Sequence, residues 1–332
     1  MVNPEAKLNP KLFDAEVDKV PIRNGYGEGL VIAGEENKNV VVLCADLTES
    51  TRSDGFAKKF PNRFIEMGVA EQNLATVAAG LAMSGKIPFI SSYAAFSPGR
   101  NWEQIRTTVA YNDANVKIAG AHAGISVGPD GATHQAVEDI TTMRVIANMR
   151  VIVPSDVHEA RKATVTAAKI HGPMYMRFAR EKTPVITTKE TPFTPGKALV
   201  LSLPPARKKA SCLIVGAGPL LYQALIAAKE LEKEQIYTIV LDSHTVKPLD
   251  ENTIIDLAKK CGAVVSVEEH QVMGGLGGAV AELLVKNAPM PMEFIGLQNT
   301  FGESGEPREL LQKYGMTEKD IYLAVKRAIQ RA

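Results

Sequence analysis

The stretch Ala121-His-Ala-Gly-Ile-Ser-Val-Gly-Pro-Asp-Gly-Ala-Thr-His-Gln135 packs two histidines, an aspartate and three glycines behind a β-rich run. A connecting loop has no need of such polarity. Imidazoles titrate near neutrality, so His122 and His134 flanking Asp130 could bind a substrate's oxygens or move its protons. Taken alone, that pattern fits a reactive loop and a structural one equally well. Glu71 lies in Phe64-Ile-Glu-Met-Gly-Val-Ala-Glu-Gln-Asn-Leu74, in a helix's first turn just past a strand. Crevices of open α/β sheets lie at that end of the strands. By itself Glu71 reads more simply as a carboxylate favoured by the helix dipole. Tyr93 and Phe96, in Ser91-Ser-Tyr-Ala-Ala-Phe-Ser-Pro-Gly-Arg100, read by themselves as core aromatics. Arg23 and Arg180, each at or near an element end, read singly as surface charges. A guanidinium near an element end suits a phosphate, because it offers parallel donors at fixed spacing.

These residues need a frame, and the hydrophobic pattern supplies one. Strand candidates are Asn39 to Cys44, Phe64 to Met67, Ile87 to Ser92, Val116 to Gly120, Val151 to Pro154 and Met174 to Phe178. Between them Glu71 to Ser84, Trp102 to Asn112 and Asp156 to Ile170 carry helical periodicity. Arg23 is expected just before a first helix. Such alternation predicts a parallel sheet covered by helices. From Thr183 to Pro205 the composition turns to prolines, threonines and lysines, as in a linker. A second α/β pattern follows, with strands at Ser211 to Gly216, Tyr237 to Leu241 and Ala263 to Val267 and helices at Leu220 to Lys233, Glu251 to Lys260 and Gly275 to Val285. Val215-Gly-Ala-Gly-Pro219 is a plain strand-to-helix turn, because Leu221 stands where a dinucleotide fingerprint needs its third glycine.

The segment Gly68-Val-Ala-Glu71, the alanine-rich helix behind it and the loop 121–135 together resemble the transketolase family, and the resemblance extends over nearly the whole chain. It implies an α/β fold of two doubly wound parallel-sheet domains: a thiamine-diphosphate pyrimidine-binding domain over 1–185, a linker over 186–205 and a transketolase C-terminal domain over 206–332. It implies that Glu71 hydrogen-bonds N1′ of the cofactor's aminopyrimidine and selects its reactive tautomer, the protein supplying geometry and the cofactor the carbanion chemistry. Tyr93 and Phe96 would stack on the pyrimidine ring. The family's third aromatic falls here on Gly99 or Arg100. Arg23, Ser50 and Arg180 would clamp a sugar's terminal phosphate. His122 would meet a substrate phosphate, Asp130 a substrate hydroxyl, and His134 the reacting centre, where it would act catalytically alongside Glu71. In the related 1-deoxy-xylulose-5-phosphate synthases an aspartate typically replaces His122. The β subunits of 2-oxo acid dehydrogenases lack the Gly-Pro-Asp-Gly-x-Thr-His pattern. Those enzymes, and a non-catalytic sugar-phosphate-binding homologue, are the alternatives. His270, in the second domain, is expected to serve packing or an interface.

Bulk composition narrows the partners. With 38 Lys plus Arg against 37 Asp plus Glu, the net charge is +1, and nothing global attracts nucleic acid or an anionic membrane. Cys44, Cys212 and Cys261 form no CxxC pair, so neither zinc nor a disulfide framework is indicated, and no metal ligand is assigned within the chain. The first twenty residues hold no signal-like apolar run, which makes the cytoplasm the default. Transketolases also carry a diphosphate domain marked by Gly-Asp-Gly and a downstream Asn, and no such element is found; Pro129 interrupts the nearest match. The expectation is a split subunit that is active only with an N-terminal partner. The partner would bind most of the Mg2+ and the diphosphate, in a dimer or a two-fold symmetric heterotetramer.

Overall fold

The computed structural model describes all residues, 1–332. A seven-stranded sheet dominates the first half. It is built from β2 (Val40–Cys44), β3 (Phe64–Glu66), β4 (Ile87–Tyr93), β5 (Lys117–Ala121), β6 (Arg150–Ile152) and β7 (Met174–Phe178), and is completed by β12 (Thr245–Lys247) from the second half. The spatial order is β12-β6-β7-β5-β4-β2-β3, and only β12 runs antiparallel. A five-stranded sheet follows: β9 (Leu199–Ser202), β10 (Cys212–Gly216), β11 (Thr238–Asp242), β13 (Val264–Gln271) and β14 (Met292–Leu297), ordered β14-β13-β10-β11-β9 with β9 antiparallel at the edge. A two-stranded antiparallel ribbon joins β1 (Lys19–Pro21) to β8 (Lys182–Pro184).

Central strands such as Val-Val-Val-Leu-Cys in β2 are buried along their whole length, as expected where helices cover both faces of a sheet. Alternate residues feed different cores. Val41, Leu43, Ile90 and Ile118 enter one core, which continues through Leu213, Val215 and Leu241 of the second sheet. Val40, Val42, Phe89 and Met176 enter another, with Tyr26 and Phe178. The two halves therefore share one apolar cluster as well as a strand.

The sequence pattern and the fold part in several places. Within 186–205, Leu199–Ser202 is a strand because its apolar run finds an open edge at β11. Trp102 to Asn112 is a short turn, Trp102–Gln104, that widens into a π-helical turn over Ile105–Ala110. The first helix starts at Ile22, so Arg23 stands inside its first turn. That helix packs closely on Val157–Ala167: a Cβ on Gly25 would lie 2.0 Å from the Val157 carbonyl oxygen.

Candidate active site

The carboxyl ends of β3, β2, β4, β5 and β7 lie side by side, and the polar residues leave from them. Tyr93 is the last residue of β4, opposite Ala121 at the end of β5. His122 follows at once, in the left-handed region (φ 56°), a conformation that costs a β-carbon residue energy and turns the ring off the strand path. Arg180 lies just beyond Phe178, whose β-bridge partner is Ala121. Glu66 closes β3 and ties the neighbouring loops together, accepting from the Asp46 and Gly68 amides and the Thr48 hydroxyl. The chain turns at Gly68 (φ 67°) and opens the helix Glu71–Met83.

One end of the site is basic. Arg23 donates through Nη1 to the Ser50 carbonyl at 2.7 Å and to His122 Nε2 at 2.8 Å. A guanidinium only donates, so Nε2 is the acceptor and the neutral ring carries its proton on Nδ1. That Nδ1 is buried without a partner, as is Arg23 Nε. Burial, with Arg23 and Arg180 nearby, pushes the His122 pKa down to about 3. Burial also lowers the Arg23 pKa, and Arg52 and Arg180 lower it further. Three guanidiniums thus converge where an anion would relieve their repulsion. The Ser50 hydroxyl meets Tyr93 OH at 2.8 Å, and the Tyr93 ring lies over His122 with centroids 4.0 Å apart.

At the other end is a sealed carboxylate. Glu71 is 3% exposed. Arg100 Nη1 serves both its oxygens, at 3.2 and 3.1 Å, and Ser92 Oγ donates to Oε1 at 3.3 Å. Asn101, fully buried, donates to the Glu71 backbone carbonyl and to Ser97 Oγ. The Arg100 guanidinium carbon sits 4.0 Å from the centre of the Phe96 ring. A planar, donor-bearing group therefore fits between the Phe96 face and the Glu71 carboxylate.

His134 joins the two ends. Its ring stands edge-on to Phe96 (centroids 5.3 Å) and to Tyr93 (6.1 Å), with Nδ1 2.9 Å from the Thr133 hydroxyl. Asp130 pairs with Arg180 at 3.2 Å, and both side chains are about a third exposed. All nine residues singled out in the sequence fall in this one region: Glu71, Tyr93, Phe96 and His134 around the slot, and Arg23, Ser50, His122, Asp130 and Arg180 around the basic end. Sequence reasoning missed Arg52, Ser92 and Asn101, and gave Arg100 only as a place where an aromatic is wanting. Arg100 carried a signal, since a cation four residues after Phe96 in a tight turn reaches back over that ring. His270 is buried at the junction of the halves, its Nε2 accepting from the Thr141 amide at 3.4 Å. No three His, Cys, Asp or Glu side chains come together as a metal site, and no helix is long and apolar enough to cross a membrane.

Comparison with known proteins adds a second line of support. Residues 18–185 match the family model "Transketolase, pyrimidine binding domain", and residues 203–321 match "Transketolase, C-terminal domain". A Methanocaldococcus jannaschii protein provisionally named a transketolase C-terminal section is 44% identical over 303 residues, covering 90% of this chain and 93% of its own. A Clostridium protein named 6-deoxy-6-sulfo-D-fructose transketolase subunit SqwH is 38% identical, covering 96% of this chain and 98% of its own. The chain spans only 50% of human transketolase, at 35% identity. A solved structure described as a split gene transketolase, inactive β4 tetramer, superposes with a TM-score of 0.87 at 45% identity, over 94% of this chain and 99% of that one.

Proposed function

This chain belongs to the transketolase family, and from that premise we propose that it is the C-terminal subunit of a split, thiamine-diphosphate-dependent transketolase. In this reading it transfers a two-carbon ketol unit from a ketose phosphate to an aldose phosphate. A separate N-terminal subunit holds the diphosphate and Mg2+, and the complex works in the cytoplasm, where three unpaired thiols are at home. A relative solved as an inactive tetramer of one chain type fits the need for a second chain.

The observation that carries the reading is the sealed Glu71 carboxylate facing a flat slot on the Phe96 ring, with a cationic cluster beyond the aromatics. Bound thiamine diphosphate supplies a nucleophilic thiazolium carbon once its aminopyrimidine is in the right tautomer. Glu71 holds and exchanges the proton at ring nitrogen N1′, while Tyr93 and Phe96 orient the ring and keep water from it. Arg23, Ser50 and Arg180 grip the sugar's terminal phosphate. His122 adds its unpartnered Nδ1–H to that grip, with its tautomer fixed by Arg23. Asp130 accepts from a substrate hydroxyl, and His134 serves proton transfer near the substrate carbonyl. The test is turnover of xylulose 5-phosphate with ribose 5-phosphate after mixing with the N-terminal subunit. Pyruvate consumption instead would transfer the chain to the deoxyxylulose-phosphate synthase or 2-oxo acid dehydrogenase class. Sugar-phosphate binding without turnover would make it a non-catalytic homologue. A second substrate class follows from the Clostridium relative: a sulfonated sugar presents a similar terminal oxyanion to the same guanidiniums, so 6-deoxy-6-sulfofructose belongs in the assay.

A further inference from the structure

The Glu71–Arg100 pair is not symmetric. Glu71 is sealed, with 3% of its side chain exposed, whereas Arg100 is 50% exposed. Only Nη1 of the guanidinium reaches the carboxylate, so most of the side chain's five donors are spent elsewhere or on water. The backbone beneath it is held firmly. The Arg100 amide donates to the Phe96 carbonyl at 2.7 Å, and buried Asn101 bolts the turn to the helix that carries Glu71. A fixed backbone with a half-exposed, singly tethered side chain describes an arm that swings without disturbing its base. The arm lies between the Phe96 face and the Glu71 carboxylate. Those are the two surfaces that the aminopyrimidine ring requires in the reading above. One planar cation already lies over the ring and hydrogen-bonds to the carboxylate there, and two flat groups cannot share the slot.

As one half of an ion pair, Glu71 can only accept hydrogen bonds, and ring nitrogen N1′ also only accepts. The paired state therefore has the carboxylate committed to the wrong partner. An unpaired buried carboxylate would be costly, so some cation must accompany it when the ring is away.

We propose that Arg100 is a displaceable occupant of the pyrimidine slot: it neutralises Glu71 in the cofactor-free subunit and must leave for the ring to bind, so it competes with thiamine diphosphate. This inference rests on the reading of Glu71 as the pyrimidine's partner. Competition lowers apparent affinity by the fraction of time the slot is filled. For an ion pair of this exposure, removing the arm should tighten binding about fivefold.

The experiment measures thiamine diphosphate binding by calorimetry, with Mg2+, to this full chain assembled with the N-terminal subunit. Arg100→Met is expected to bind about fivefold more tightly than wild type, and Arg100→Lys to restore much of the competition. Unchanged or weaker binding by Arg100→Met overturns the inference. A second measurement needs no variant: phenylglyoxal labelling of Arg100, followed by peptide mass spectrometry, should accelerate when thiamine diphosphate is added. Slower labelling, or no change, means that the arm stays in place and overturns the inference by itself. Glu71→Gln separates the two levels. If wild-type binding is absent, or is indifferent to Glu71→Gln, the proposed function fails and takes this inference with it. If binding depends on Glu71 while both Arg100 readouts go the other way, only the displaceable arm is lost.

Discussion

Replacing Glu71 by Gln separates the chemical duty proposed for this side chain from its structural one. Glutamine has the same shape, so the slot and the contact with Ser92 survive, and the Asn101 bond is to the backbone. What disappears is the pairing with Arg100 and the ability to exchange a proton. The pairing is worth little because Arg100 is 50% exposed and its charge is screened by water, about 0–1 kcal/mol. Removing a buried charge offsets part of that. The folded subunit should therefore keep its stability to within about 1 kcal/mol, a melting shift of no more than about 4 °C for a protein of this size. Positioned proton transfer contributes roughly 10²–10⁴ in rate, which is about 3–5.5 kcal/mol of barrier. The assay is ketol transfer by the assembled enzyme, read beside a thermal melt of the variant. A loss of 10²-fold or more with an unchanged melt is expected. Activity within tenfold of wild type, or a loss that tracks unfolding, would refute the assignment.

Arg23→Met should raise KM for phosphorylated sugars about 10–100-fold, the worth of a charge-assisted hydrogen bond, with kcat for an unphosphorylated ketose little changed; steady-state kinetics on both substrates checks it. His122 should make the fold acid-sensitive. Its folded pKa of about 3 lies below the ordinary 6.5, so from pH 6.5 downward the unfolded chain binds a proton that the native one refuses. Stability from this group is full above pH 6.5 and falls by about 2 kcal/mol between pH 7 and 5, a loss that His122→Asn should abolish in urea titrations at the two pH values. Asp139→Ala strips the partner from Arg177, 2.8 Å away with both side chains buried, and should cost about 3–5 kcal/mol by denaturant unfolding.

What the sequence made legible was local. The β-branched run at Val40–Cys44 and the strand-to-helix turn at Gly68 announce themselves, because their hydrogen bonds and burial follow from neighbours in the chain. What escaped was pairing between distant segments. Thr245–Lys247 joins the first sheet against β6, roughly ninety residues upstream, and no periodicity in three residues signals that. Leu199–Ser202 hid among prolines because an edge strand needs only one partner. The site divides in the same way. Glu71, Tyr93, His122 and Arg180 sit at strand ends or just beyond them, where position along the sequence predicts position in space. Arg52 and Arg100 act by reaching across to other segments, Arg52 toward Arg23 and Arg100 back onto Glu71 and Phe96.

The second half contributes none of the nine site residues, yet it forms the floor under the loop that carries three of them. Glu269 accepts from the Ser126 amide at 2.6 Å, and its carboxylate lies so close to Gly124 (φ 91°) that a Cβ there would come within 2.4 Å of Oε1. Further along, Gln135 donates to the Glu303 carbonyl, and Gly131 rests against Ser304. Arg177 spans the junction, donating to the carbonyls of both Ala136 and Glu269. A loop built from glycines has little conformational preference of its own. Here its course is set by the second half, through the buried Glu269 carboxylate of β13, where an unmade hydrogen bond is costly, and the Glu303 carbonyl of the loop after β14. In the proposed reading the second half thus acts on the chemistry by holding His122, Asp130 and His134 in register with the strand ends, and β12 pairs it to the first sheet.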